Sequence, residues 1–127
     1  MDQTSQTRQA VRAYVERTEQ RDWQALSELL AEDVVYEMPQ TRETIHGRAA
    51  FLQFNKEYPG DWHLRLRRVV ADGPHAAAWI DARVGAEQQD ACVWFELSEP
   101  GLISRIVDYW PEPYVPPPGR EHLTTRH

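Results

Sequence analysis

Residues 62–110, WHLRLRRVVADGPHAAAWIDARVGAEQQDACVWFELSEPGLISRIVDYW, hold four strand-like runs in succession, at about 62–71, 75–84, 90–98 and 102–110. The runs are separated by DGP, VGAEQQ and SEPG, connections short enough for antiparallel hairpins. The first half of the chain has a different period. Within residues 4–20, Val11, Tyr14, Val15 and Thr18 recur at helical spacing, while Arg8, Arg12, Glu16 and Glu19 take the other side. Asp22 suits the N-cap of a short second helix in which Trp23, Leu26, Leu29 and Leu30 share a face, ending near Glu32. VVYEM, residues 34–38, reads as a strand stopped by Pro39, which has no N–H to donate to a ladder. A polar loop leads to Gly47, and Ala50, Phe51, Phe54 and Tyr58 then mark a third helix that Pro59-Gly60 terminates. Helices followed by a run of strands predict an α+β domain, with three N-terminal helices packed on a strongly curved antiparallel sheet.

The chain of 127 residues suits one domain with a real core, and 41% hydrophobic with 27% charged residues are globular proportions. That domain is expected over residues 1–114. Five prolines between Pro111 and Pro118 make residues 115–127 a proline-rich tail, extended over the surface or onto a partner. A formal charge of -6 argues against a nucleic-acid partner, because phosphate-backbone binding needs a positive field. The lone Cys92 cannot close an intramolecular disulfide, and no basic start leads into an apolar run of signal-peptide type, so the expected location is the cytoplasm. No apolar stretch approaches the roughly 20 residues that span a bilayer, so no membrane partner is expected. The five histidines lack the spacing of a metal site, and no P-loop or dinucleotide glycine pattern occurs; no cofactor is expected.

The last run places an acid, Asp108, among apolar and aromatic neighbours. With a strand period of two, Ile106, Asp108 and Trp110 share one face, and Val107 and Tyr109 the other. On the preceding strand, Cys92, Trp94 and Glu96 lie opposite Val93, Phe95 and Leu97. Both faces carry large apolar groups, so the outer face is expected to need a cover, met by homodimerisation. Arg65, Arg67 and Arg68 read as a solvated strand face, and Cys92 as buried packing.

The element order, with DVVYEMP, HGRAAFLQF and GLISRIVDYWPEPY, resembles the nuclear-transport-factor-two-like superfamily, particularly its SnoaL-like polyketide cyclase branch. The resemblance spans roughly residues 6–114 and implies a cone in which a bent sheet wraps around helices and encloses a pocket. It also implies a homodimer, which is common in that family. In members similar to ketosteroid isomerase the general base stands just before the proline that ends the first strand; that position is Met38 here. Tyr14 looks like the oxyanion-hole tyrosine of those members, and their protonated acid falls near Val93. Members similar to limonene epoxide hydrolase carry an acid followed by two aromatics on the final strand, matched by Asp108-Tyr109-Trp110. Their second acid follows an arginine by two residues; Asp81 takes that place, with Trp79 where the arginine would be. Glu37 lies near a water-holding asparagine of that group.

These readings imply a cofactor-independent acid/base cyclase, isomerase or hydratase acting on a small hydrophobic or polycyclic molecule of polyketide or terpenoid type. Asp108 would be the general acid or base, Asp81 or Glu37 its partner and Tyr14 a hydrogen-bond donor, because two carboxylates in one apolar pocket divide into acid and base. Met38, Phe51, Phe54, Trp62, His63, Trp79, Trp94, Ile106 and Trp110 are the expected pocket lining. Three alternatives stand beside this: an epoxide-hydrolase-like enzyme, a non-catalytic ligand-binding or dimerisation module, and plain pairing of Asp81 with Arg83 or another arginine on a solvated face and of Asp108 with Arg105 or the first helix.

Overall fold

The computed structural model describes residues 2–127. The chain runs α1 (Gln3–Glu19), α2 (Trp23–Ser27), β1 (Leu30–Met38), β2 (Glu43–His46), α3 (Arg48–Glu57), β3 (Trp62–Asp72), β4 (His75–Val84), β5 (Glu87–Ser98) and β6 (Leu102–Tyr109). The strands form one sheet in the order β2-β1-β6-β5-β4-β3. As the alternation predicts, β3 to β6 are joined by successive antiparallel pairings.

One feature of the sheet corrects the expectation. β1 pairs with β6 in parallel, Tyr36 opposite Ile106 and Glu37 opposite Val107, so the sheet is mixed rather than wholly antiparallel. Hairpin spacing fixes direction only between consecutive strands, and nothing local states how β1 meets a strand about seventy residues later. β2, read as a polar loop, is a strand of four mostly exposed residues whose pairing with β1 is a backbone matter with little side-chain signature. The second helix ends at Ser27, short of Glu32. Leu30 instead begins β1 opposite Ile103, and the Ile103 N–H donates to Leu29 O at 2.8 Å.

The helices form where side chains satisfy their ends. Asp2 accepts from Ser5 N at 2.8 Å and Asp22 from Ala25 N at 3.1 Å, each relieving one orphan donor of a first turn. The buried face of α1 is Thr7, Val11, Tyr14, Val15 and Thr18. Its N-terminal end is tied to the β3–β4 turn, where Thr7 Oγ1 donates to Gly73 O at 2.7 Å and Gly73 N donates to Thr4 Oγ1 at 2.9 Å. The glycine before the third helix has a backbone reason: Gly47 sits at φ +93°, outside the range of L side chains, while its N–H reaches Val34 O and its carbonyl starts α3.

α1 packs on β3 and β4, and α3 on β1 and β2. The register shifts at Leu66/Arg68 and Glu96/Leu97, irregularities of the kind that bend and twist a strand. Between the layers lies a core of Leu26, Leu30, Val34, Val93, Phe95, Ile103 and Ile106, with Phe51 at its centre against Tyr14 and Tyr36. Beyond β6, residues 110–127 form no helix or strand. Among the described residues, no helix is long and apolar enough to cross a membrane.

Phe51 is buried and packs on Tyr14 and Tyr36, so Phe51→Ala removes both apolar burial and the support of those two rings. The expected cost is about 3–5 kcal/mol, read as a lower urea midpoint at fixed protein concentration.

Candidate active site

Strand period turns Asp108 inward, as the sequence implies. Ile106 is fully buried, Trp110 packs on the core edge, and Tyr109 faces solvent on the other side. The Asp108 carboxyl is held by a group the sequence reading passed over. The Tyr36 hydroxyl, from β1, donates a short hydrogen bond to Asp108 Oδ2. Asp108 Oδ1 is buried and has no hydrogen-bond partner among the described residues. Burial raises the Asp108 pKa above the ordinary carboxylate value, and the Tyr36 bond offsets part of that rise. Both neighbouring phenols are pushed the same way: burial, then the Asp108 charge, raise Tyr14 and Tyr36 above an ordinary tyrosine. They therefore remain donors throughout the neutral range.

Aromatic rings surround this group. Tyr36 lies 4.9 Å from Phe51 and 6.0 Å from Phe54, centroid to centroid, and Tyr14 meets Phe95 edge-on at 5.2 Å. Phe54 is in turn 5.8 Å from the half-exposed Tyr58. Asp108, Phe54, Tyr58 and Trp110 are each only partly covered, so the cluster approaches the surface between α3 and the end of β6.

The structure does not bring the other expected carboxylates to Asp108. Asp81 lies on the opposite face of the sheet, where Gln88 donates to Oδ1 at 3.1 Å and Arg65 and Arg83 reach Oδ2 at 3.3 and 3.4 Å. The Gln88 bond, with Arg83 and Arg65, holds its carboxyl below the usual range. That is the ion-paired alternative for Asp81. Glu37 points outward and takes a two-pronged bond from Arg105 at 3.0 and 3.1 Å. Arg105 is thereby committed to Glu37 rather than to Asp108. One residue of strand offset decides these outcomes, since Glu37 and Tyr36 are adjacent on β1 and face opposite ways.

The expected lining divides in the same way. Met38, Phe51, Phe54, Ile106 and Trp110 lie on the inner side with Tyr14. Trp79 and Trp94 stand on the outer face, exposed; Trp79 Nε1 donates to Asp90 at 3.0 Å. Cys92 is also exposed there, not buried. Trp62 is buried near Trp23, with the Arg21 guanidinium 3.3 Å over its ring. His63 lies outside the core, bridging Glu19 at 2.9 Å and Asp61 at 3.0 Å. Two open clefts of about 390 and 430 Å³ lie along the edge strand β3, one at Arg65–Arg68 and Trp79, the other at Glu19, His63 and Asp81; neither includes Asp108. No cluster of three His, Cys, Asp or Glu side chains suited to a metal ion occurs among the described residues. Tyr36 was legible in principle, because VVYEM alternates and an inward Tyr needs a polar partner.

A family model described as a SnoaL-like domain matches residues 11–106. No curated protein matches the chain. A crystal structure from Kribbella flavida, provisionally named a ketosteroid isomerase, is 50% identical over 100% of this chain and 93% of its own, with a TM-score of 0.94. An LEH-like epoxide hydrolase from M. tuberculosis is 23% identical over 85% of this chain and 84% of its own, with a TM-score of 0.74. A protein from Xanthomonas campestris, provisionally named a polyketide cyclase, is 23% identical over 87% and 93%, with a TM-score of 0.73. The last two likenesses establish the fold alone.

Two pH responses follow from these environments. His63 is raised by its Glu19 bond, whereas Glu19 is lowered, partial burial being outweighed by His63, the Leu64 N–H and Arg21. The pair therefore contributes most between the two shifted values. Its stabilisation is lost as pH rises through the raised His63 value or falls through the lowered Glu19 value. His63→Ala should flatten the melting temperature between about pH 6 and pH 8. Asp108 follows the direction of His63 and opposes that of Glu19, because the stability of a fold with a raised carboxyl falls as pH climbs through the folded-state value. Asp108→Asn should be more stable than the native chain at neutral pH, by an amount that shrinks toward about pH 4 in urea titrations.

Proposed function

The chain belongs to the SnoaL-like domain family, and on that premise we propose that it is a cofactor-independent acid/base enzyme that moves a proton on a small hydrophobic carbonyl compound. The observation that carries this reading is the Asp108 carboxyl, anchored through Oδ2 by Tyr36 while Oδ1 is buried and unpartnered. An unsatisfied buried oxygen is costly, and a substrate C–H or O–H placed against it would remove that cost.

In the proposed reaction Oδ1 takes the proton from the carbon next to the carbonyl. The C–H electron pair moves into the enolate, and the carboxyl returns the same proton at another carbon. The acid and the substrate thus end unchanged in proton count. Burial makes Asp108 a stronger base than an ordinary carboxylate, and Tyr36 is the positioning residue that holds its orientation. Tyr14 is the donor assigned to the developing oxyanion, its phenol remaining protonated at neutral pH. The substrate pocket in this reading opens between Phe54, Tyr58, Met38 and Trp110. Met38 occupies the position of the base in members similar to ketosteroid isomerase, so the proton carrier here is on the last strand instead of the first. The Kribbella relative's provisional name is consistent with an isomerase, and at 50% identity over the whole chain it favours isomerisation over cyclisation.

A second reading has its own support. Phe51 and Phe95 are almost wholly buried, as expected for the filled interior of an assembly module without chemistry. The two readings separate on double-bond migration. Incubation with a panel of β,γ-unsaturated hydrophobic ketones in D2O should give enzyme-dependent migration of the double bond, followed by NMR. Asp108→Asn should lower kcat by about 10²-fold or more, and Tyr36→Phe by less. For the native chain kcat/KM should rise with pH through the raised Asp108 value, since the ionised form is the base. Equal turnover by Asp108→Asn would remove Asp108 from the mechanism; ligand binding without double-bond migration across the panel would favour the module.

A further inference from the structure

The outer face of the sheet changes character toward β3. Val70, Trp94 and Tyr109 leave an exposed apolar band, and beside it the two clefts share one wall, Arg65. A register shift shapes that wall. β3 and β4 pair Leu66 with Ile80 and Arg68 with Trp79, so Arg67 is an extra residue. Strict alternation from Arg65 would turn Arg68 inward. After the extra residue it is Val69 that is buried, and Arg67 and Arg68 both stay outside. Two successive arginines thus stand against one tryptophan, on the strand that ends the sheet.

Acids lie beneath these arginines and orient them. Asp81 is only 2% exposed and is covered by Arg65, Arg83 and Gln88. Gln88 Nε2 also donates to Asp90 at 3.2 Å, and Asp90 lies 4.0 Å from Arg67 Nε while accepting from Trp79 Nε1. The Arg67 guanidinium is in turn 5.1 Å over the Trp79 ring. These contacts fix the arginines without using them up. Arg65 and Arg83 share one oxygen of Asp81, and their side chains remain 69% and 58% exposed. Arg68 has no hydrogen bond or ion pair among the described residues. Four arginines therefore stand over two acids, a local positive excess in a chain whose formal charge is -6. Glu19 does not cancel it, because its carboxylate is taken by His63, the Leu64 N–H and Arg21. A lone carboxylate would neutralise half of that excess. A phosphate monoester carries about -1.5 to -2 at neutral pH, and its oxygens match the forks of a guanidinium.

We infer that the cleft of about 390 Å³ at Arg65–Arg68 and Trp79 binds a phosphate monoester of a small apolar molecule. Arg65 and Arg68 hold the phosphate, with Arg67 kept beside them by Trp79 and Asp90. Leu66 and the exposed part of Trp79 receive the apolar body. The site is independent of the proton-transfer reading, because Asp108 faces the other side of the sheet.

Phenyl phosphate titrated into the full chain should shift the NMR signals of the Trp79 indole N–H and of the Arg65 and Arg68 side chains, saturating with a dissociation constant of about 1 mM or tighter. Phenol should leave these signals in place, and inorganic phosphate should bind about tenfold more weakly for want of the apolar contact. Arg68→Gln, at a side chain without an internal partner, should keep the fold by circular dichroism and raise the constant for phenyl phosphate about tenfold or more. Arg12→Gln, an exposed arginine of α1, and Asp108→Asn should leave that constant unchanged. No saturation by about 10 mM phenyl phosphate, an equal loss in Arg12→Gln, or a constant that changes in Asp108→Asn overturns the site. Equal binding of inorganic phosphate overturns the role given to Trp79 and Leu66.

Discussion

A carboxyl group set between Ile106 and Trp110 on a core-facing strand loses water, and the loss must be offset by a donor that the fold itself provides. Tyr36 is that donor. The bond exists because β1 lies beside β6 in parallel, with Tyr36 opposite Ile106, so that its hydroxyl extends along the strand toward Asp108. The aromatic ring of Tyr36 meanwhile packs on Phe51, which fixes the third helix against the same strand. Sheet pairing, helix docking and the electrostatics of the candidate site therefore meet in one side chain.

The same pairing explains why only one carboxylate is present at the inner site. Adjacent residues of a strand face opposite ways, so bringing Tyr36 inside sends Glu37 outside to Arg105. Asp81 is likewise turned out, and its cost of burial is met by Gln88, Arg65 and Arg83. The inner face has become apolar with one acid and the phenols around it, and the outer face polar with one apolar band. An acid alone among phenols is a different chemical device from a carboxylate pair, because no second carboxylate shares its proton.

Much of the fold was legible in the sequence. The helical spacing of Val11, Tyr14, Val15 and Thr18, the cap at Asp22 and the stop at Pro59-Gly60 are local signals, and each has its counterpart in the structure. The alternation grouped Asp108 with Ile106 and Trp110, and Trp94 with Cys92 and Glu96, without saying which group faces the helices. What failed were features whose cause is distant: the direction of β1 against β6, the backbone-paired strand β2, and the start of β1 at Leu30, which Ile103 determines from the far end of the chain. Trp79 and Trp94 were expected in the lining because residue type alone does not say which side of a sheet is covered.

By itself, the sequence determined the class of fold, the four-strand meander and the face that Asp108 shares with Ile106 and Trp110, because these follow from periodicities of 3.6 and 2 within a few residues. Only the tertiary structure decided the company Asp108 keeps. Its partner Tyr36 lies seventy-two residues earlier, the expected partners Asp81 and Glu37 found cations nearer to hand, and which of these pairings forms depends on strand order and register, quantities that no local stretch of the chain encodes.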